Sequence, residues 1–107
     1  MTSSLLMVEL PVPAGREEEW NTWYHEVHMP DVLANVPGVV ATRRYRVLND
    51  ADHDIHYVVL HEFASLELLE AYIGSTTVAD RWGEYEVLWG RPAHYRRRGL
   101  QFLLELP

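Results

Sequence analysis

The chain has 107 residues, 48% of them hydrophobic, and a formal net charge of −7. That length points to one domain spanning residues 1–107, with enough apolar content for a core and too much for a disordered chain. The acidic balance argues against nucleic acid and against an anionic membrane surface as partners, because both need clustered Lys and Arg.

Arg96-Arg97-Arg98 is a short basic cluster, and its side chains alternate between faces if it lies in a strand. The absence of cysteine excludes disulfides, thiolate metal sites and cysteine nucleophiles. The opening "MTSSLLMVELPVPAG" has no basic segment, and Glu9 and Pro11 interrupt its apolar run, so no signal peptide is expected. No apolar run approaches ~18 residues, so no membrane-spanning helix is expected either, and the cytoplasm is the expected location.

Residues 4–10, closed by Pro11 and Pro13, read as a strand. Residues 15–28 follow as a helix, with Glu17, Glu18 and Glu19 suiting the positive end of its dipole. Trp20, Trp23, Tyr24 and Val27 recur at helical spacing and form one apolar stripe. Pro30 lacks an N–H and crowds the carbonyl of Glu26, which predicts a kink or break near Met29 and then a short helical turn over Asp31–Asn35.

Pro37-Gly38 is a turn. Residues 39–48 and 55–63 read as two strands of a hairpin, joined by the polar connection "NDADHD". Residues 65–73 form a helix with Ser65 as N-cap, and residues 77–89 form another, stopped by Gly90 and Pro92. The tail from Ala93 to Leu106 reads as the last strand, with Gly99 marking a bulge.

The order is βαββαβ with an extra helix before the last strand. That is an α+β, ferredoxin-like arrangement with a four-stranded antiparallel sheet. Helices cover one face of such a sheet, so the other is polar in a monomer. In the third strand, however, Ile55, Tyr57, Val59, His61 and Phe63 oppose His56, Val58, Leu60 and Glu62, and in the first strand Leu5 and Met7 oppose Leu6, Val8 and Leu10. Apolar side chains on both faces predict a homodimer packed sheet to sheet.

These features resemble the dimeric α/β-barrel superfamily, in which two ferredoxin-like subunits pack their sheets into a shared barrel. The stretch "YHEVHMPD" is similar to the first helix of EthD-type proteins, with Tyr24, three residues, then His28 and Pro30. The stretch "HMPDVLANVPGVVATRRYRV" shares that branch's Pro-Gly turn into the second strand. The resemblance implies a pocket between sheet and helices. It also implies a range of chemistries, among them cofactor-free polyketide cyclisation, muconolactone isomerisation, quinone-forming monooxygenation and haem degradation. The stress-responsive and plant cyclase-like branch carries a histidine after a Tyr-Ile pair. Here Tyr72-Ile73 is followed by Gly74-Ser75-Thr76, so that histidine is missing.

His28 lies at the border of the apolar stripe, one turn after Tyr24. It serves either as an acid or base near neutral pH or as a helix-end residue that favours the dipole. Tyr24 either steadies a substrate oxyanion or packs in the core, with Trp23 beside it as pocket wall. Asp31 either orients His28 or caps the turn after Pro30. His25 and His28 are spaced i, i+3, but no third ligand stands at a recognisable spacing, so no metal is expected.

His61 faces His28 across a pocket if its strand face meets the helices, and lies at the subunit interface if it does not. Arg43 and Tyr45 alternate in phase against Arg44 and Arg46, and one such pair can hold a substrate carboxylate or phenolate; otherwise they are edge charges. Trp82, Tyr85 and Trp89 line either a pocket or the core.

The resulting expectation is a cofactor-independent enzyme doing proton-transfer chemistry on an apolar, oxygenated small molecule, such as an aromatic or polyketide-like compound. The step is a cyclisation, dehydration or isomerisation. His28, Tyr24 and His61 carry the reaction, and Arg43, Tyr45, Trp23, Asp31, Trp82 and Tyr85 bind the substrate. An oxygen-using or haem-linked enzyme of the same fold, or a binding protein without chemistry, are the alternatives.

Overall fold

A computed structural model describes residues 3–48 and 56–107. The polar connection at 49–54 and the placement of Ile55 lie outside the described residues. The elements are β1 (Ser4–Pro11), α1 (Glu17–Trp23), a π-helical turn (Tyr24–His28), α2 (Met29–Asn35), β2 (Val39–Arg46), β3 (His56–Phe63), α3 (Leu66–Ile73), α4 (Thr76–Trp89) and β4 (Arg96–Leu100). The four strands form one antiparallel sheet in the order β2-β3-β1-β4, the ferredoxin-like topology.

Pro30 does not break the first helix. The backbone stays right-handed helical at Trp23, Tyr24, His28 and Met29, and the Met29 N–H bonds to the Tyr24 carbonyl, five residues back. The wide turn takes up the disruption, because the N–H that Pro30 lacks falls where the hydrogen-bond ladder already changes its step. A wider turn also carries each side chain less far around the axis. His28 therefore stays over Tyr24, and the inward face runs Trp20, Tyr24, His28, Val32, Val36. Val27 is turned out to 55% exposure.

The phase of the strands is now fixed. Leu6 and Leu10 of β1 and Val59, His61 and Phe63 of β3 are buried against the helices. One buried group gathers Leu6, Val32, Val36, Val39, Phe63 and Leu69; a second gathers Leu10, Trp20, Tyr24, Val59 and Tyr85. The indole N–H of Trp20 donates to the Tyr85 hydroxyl at 3.0 Å, so this buried indole has a partner. Ser65 caps α3 by accepting from the Leu68 N–H at 3.3 Å.

Two details of the sheet depart from expectation. The last strand is short, Arg96–Leu100, and the residues after it form no regular element. Gly99 pairs in register with Leu6 and marks no bulge; the irregularity lies in β2, between Val39 and Ala41. A Cβ at Gly99 would stand 3.0 Å from the Ile73 Cδ1, so α3 lies close on the strand at this position.

The other face of the sheet carries Leu5, Met7, Val58, Leu60, Arg43, Tyr45 and Leu100. In cross-strand order its rows read Arg43–Leu60–Met7–Arg98 and Tyr45–Val58–Glu9–Arg96. Tyr45 is exposed, and Leu100 is partly so. Among the described residues no helix is long and apolar enough to cross a membrane.

Candidate functional site

A cavity of about 60 Å³ opens between the sheet and the helices, with room for several waters or a single small ring. Leu6, Val8 and Leu10 of β1 form its floor with Val59 and His61 of β3. Tyr24, His28 and Val32 close one side, and Val78, Arg81, Trp82 and Tyr85 of α4 close the other, with Tyr72 and Arg97 at its edges. The walls are mostly apolar with a few converging polar groups, the usual constitution of a small-molecule site.

The π turn places His28. Its ring meets the Tyr24 ring edge-on at 5.2 Å and lies flat against Trp23, with centroids 4.7 Å apart and planes 16° apart. Its ring also meets that of His61 edge-on, with centroids 6.2 Å apart. Burial, then the charge of Arg81, pushes the His28 pKa down to about 4, against a smaller upward pull from Asp31. Burial and the neighbouring His28 and Arg81 push His61 down to about 3. Both imidazoles are therefore neutral at pH 7. The His61 Nδ1 and the Thr42 hydroxyl lie 2.9 Å apart, so one donates to the other and the His61 ring plane is held.

Tyr24 is buried, and burial with the nearby Tyr85 holds its phenol proton well above the usual range. Tyr85 is pushed up to about 12 by burial. Behind Tyr24, the Arg44 guanidinium lies 4.1 Å from the Tyr24 ring centre and 4.5 Å from that of Tyr57. It also donates to the Asn21 Oδ1 at 2.6 Å. This cation–π packing braces the phenol.

Of the residues expected from sequence, Tyr24, His28, His61, Trp82 and Tyr85 line the cavity, and Trp23 backs His28. Asp31 is not bonded to His28. Its two oxygens accept from Arg81 at 2.6 Å and Asn35 at 2.6 Å, and the Arg81 bond is the larger reason its carboxyl sits below the usual range. Arg43 and Tyr45 lie on the opposite sheet face: Arg43 pairs with Glu62 at 3.1 Å, and Tyr45 is exposed. Alternation along β2 turns Arg44 and Thr42 to the helix side instead.

Arg81, Tyr72 and Arg97 are the lining residues that sequence reasoning missed. Arg81 stands i+3 from Val78 and i−4 from Tyr85, so it was readable as a charge set on the apolar stripe of α4. Among the described residues, no group of three His, Asp or Glu side chains is placed to hold a metal ion.

Residues 3–82 match the model of a family described as a domain of unknown function, DUF4286. The chain belongs to that family. No curated protein matches it. Solved structures with the same fold cover nearly all of this DUF4286 chain. An ethyl tert-butyl ether D (EthD) family protein of Bacillus halodurans is 11% identical with a TM-score of 0.66, over 96% of this chain and 100% of its own. The haem degrader MhuD of Mycobacterium tuberculosis, whose active site holds two haems, is 18% identical with a TM-score of 0.64, over 97% and 99%. SnoaB of Streptomyces nogalater, a cofactor-independent oxygenase, is 12% identical with a TM-score of 0.62, over 98% and 97%. At these identities the DUF4286 chain shares with them the ferredoxin-like fold and nothing finer.

Proposed function

We propose that the protein is a cofactor-independent enzyme that moves a proton on an apolar, oxygenated small molecule, as in a cyclisation, dehydration or isomerisation. The observation that carries this reading is the pair of neutral imidazoles, His28 and His61, which meet edge-on in the wall of a cavity beside Tyr24. His28 takes the proton, and Tyr24 or His61 donates a hydrogen bond to the oxygen on which negative charge develops.

The low pKa of His28 fits this role in one way. An imidazolium alone in the cavity is opposed by burial and by Arg81. An anion forming on the substrate beside it offsets both, so proton uptake and enolate or phenolate formation favour each other.

The working unit in this reading is a homodimer of single-domain subunits, joined through the outer sheet face around Met7 and Leu60. No resident cofactor is part of this reading. The fold likeness to a cofactor-independent oxygenase supports a second reading, in which the same substrate anion goes on to react with dioxygen; oxygen uptake distinguishes the two.

The test needs no knowledge of the natural substrate. Exchange of carbon-bound hydrogen in D2O is followed by NMR for a panel of aromatic diketones, with benzoylacetone as the first. The protein is expected to accelerate exchange over buffer, and His28→Ala to lower that acceleration by about 10²–10⁴-fold. Exchange at the buffer rate across the panel, or undiminished in His28→Ala, counts against the reading.

A further inference from the structure

We infer that the ligand of this cavity is an anion, a single-ring carboxylate or phenolate, whose charge is held by Arg81 and drawn in past Arg97. This deepens the proposed function and rests on the cavity being its substrate pocket.

The first observation is the character of the lining. It holds two arginines, two histidines and three tyrosines, and no carboxylate. That is a marked excess of hydrogen-bond donors in a chain whose net charge is −7. The nearest acid, Asp31, is already bonded to Arg81 and Asn35.

The second observation concerns Arg81 itself. One end of its guanidinium, Nη1, is tied to Asp31, while the Nε–H is buried with no acceptor. A buried donor on a cation without a partner is costly, and an acceptor brought by a ligand would relieve it. The Asp31 bond fixes the plane of the fork, so the remaining donors, the Nε–H among them, are already oriented when a carboxylate arrives.

The third observation is the approach. An open groove beside the cavity is walled by Arg96, Arg97 and Arg98, with Ser75 and Tyr95. Groove and cavity share Val78, Trp82 and Arg97, so the groove adjoins the cavity. Alternation along β4 turns Arg97 to the helix side, with Val8 as its cross-strand partner, so its charge favours an anion at the mouth despite the acidic chain. Burial and this positive environment lower the affinity of His28 and His61 for protons, and an anion beside them offsets the second effect.

The probe pair is benzoate and benzamide, alike in shape and different in charge. Each is titrated into the full-length protein at pH 7 and low salt, by calorimetry and by tryptophan fluorescence, since Trp82 lines the cavity. Benzoate is expected to bind about tenfold or more tighter, the scale of one charge-assisted hydrogen bond in a dry site. Arg81→Gln is expected to erase the preference by weakening benzoate far more than benzamide, with an unchanged far-ultraviolet circular dichroism spectrum showing the fold intact. Arg97→Gln, on the exposed strand, is expected to reduce the preference several-fold.

Equal binding of the two rings by the wild type overturns the inference. So does a preference that survives in Arg81→Gln, or failure of both rings to bind at tens of millimolar. If Arg81→Gln does not fold, an undiminished preference in Arg97→Gln overturns it. The assay reads ligand charge without turnover. A benzoate preference alongside absent hydrogen exchange therefore counts against the proton-transfer reading alone, and intact exchange with no preference counts against the anion alone.

Discussion

The imidazole of His28 lies flat on the indole of Trp23, centroids 4.7 Å apart. The π turn puts these rings five residues apart in sequence and face to face in space, and the stack shields one side of the imidazole from water. Trp23→Ala removes the aromatic face and opens that side of the imidazole to water. The His28 pKa should then climb from about 4 toward its ordinary 6.5, read from the ring protons by NMR. Hydrogen exchange on the diketone probe should fall by about tenfold to a hundredfold, because the base is no longer held in place. A His28 titration unmoved by the substitution would show that the stack sets neither hydration nor orientation.

The two cavity histidines also tie stability to pH. Both pKa values are depressed in the folded protein, to about 4 and about 3, from 6.5. Below pH 6.5 the unfolded chain binds protons that the folded chain refuses, so stability falls with acid. The contribution is complete above about 6.5 and is lost as the pH drops through the folded values. By pH 5 the loss is at most about 2 kcal/mol per histidine. The melting temperature should accordingly fall between pH 7 and pH 5. The double variant His28→Gln, His61→Gln should flatten that slope; an equal slope in the variant would assign it to other groups.

The Asp31–Arg81 pair should behave as a partly buried bridge, with side chains 44% and 17% exposed. Asp31→Asn leaves the Arg81 charge without its counter-ion, and the expected loss is about 1–2 kcal/mol, between exposed and fully buried pairs. Arg81→Met alone should cost less, since the more exposed Asp31 is easily hydrated. The double variant should cost less than the sum of the singles. Strict additivity in urea denaturation would mean that the bond contributes nothing to stability.

How much of this was legible depended on whether one local pattern had a single physical solution. The stripe of Trp20 and Tyr24 did, and so did the Ser65 cap and the order of strands and helices. Pro30 had two solutions, a break or a wide turn, and the winner was decided by packing of Tyr24, His28 and Val32 on the sheet. The phase of β2 was hidden for a related reason. Arg43 and Arg44 are chemically alike and both strand faces carry apolar residues, so alternation could not tell the pocket side from the outer side. The length of β4 was overestimated because Phe102, Leu103 and Leu104 have strand composition, yet β4 pairs with β1 only as far as Leu5↔Leu100. Arg81 was overlooked because a charge beside an aromatic stripe ordinarily faces solvent, whereas here it faces the cavity and bonds to Asp31.

The outer sheet face supplies the last prediction, a homodimer. Met7 and Leu60 are directly paired across strands, with Arg43 and Arg98 outside them in the same row. Apolar side chains at the centre and arginines and glutamates at the edge give the layout of a subunit interface, with a dry middle and a polar rim. In a two-fold dimer every substitution counts twice, so Leu60→Asp places two carboxylates in the dry middle. The dissociation constant should rise by about 10²–10³-fold, the scale for charges buried without partners. Leu60 is half-buried in the single chain, so the far-ultraviolet circular dichroism of the variant should match the wild type. Sedimentation velocity over a dilution series should then show a wild-type dimer and a variant monomer. A wild type that is monomeric at every concentration would leave this face without the second copy proposed for it.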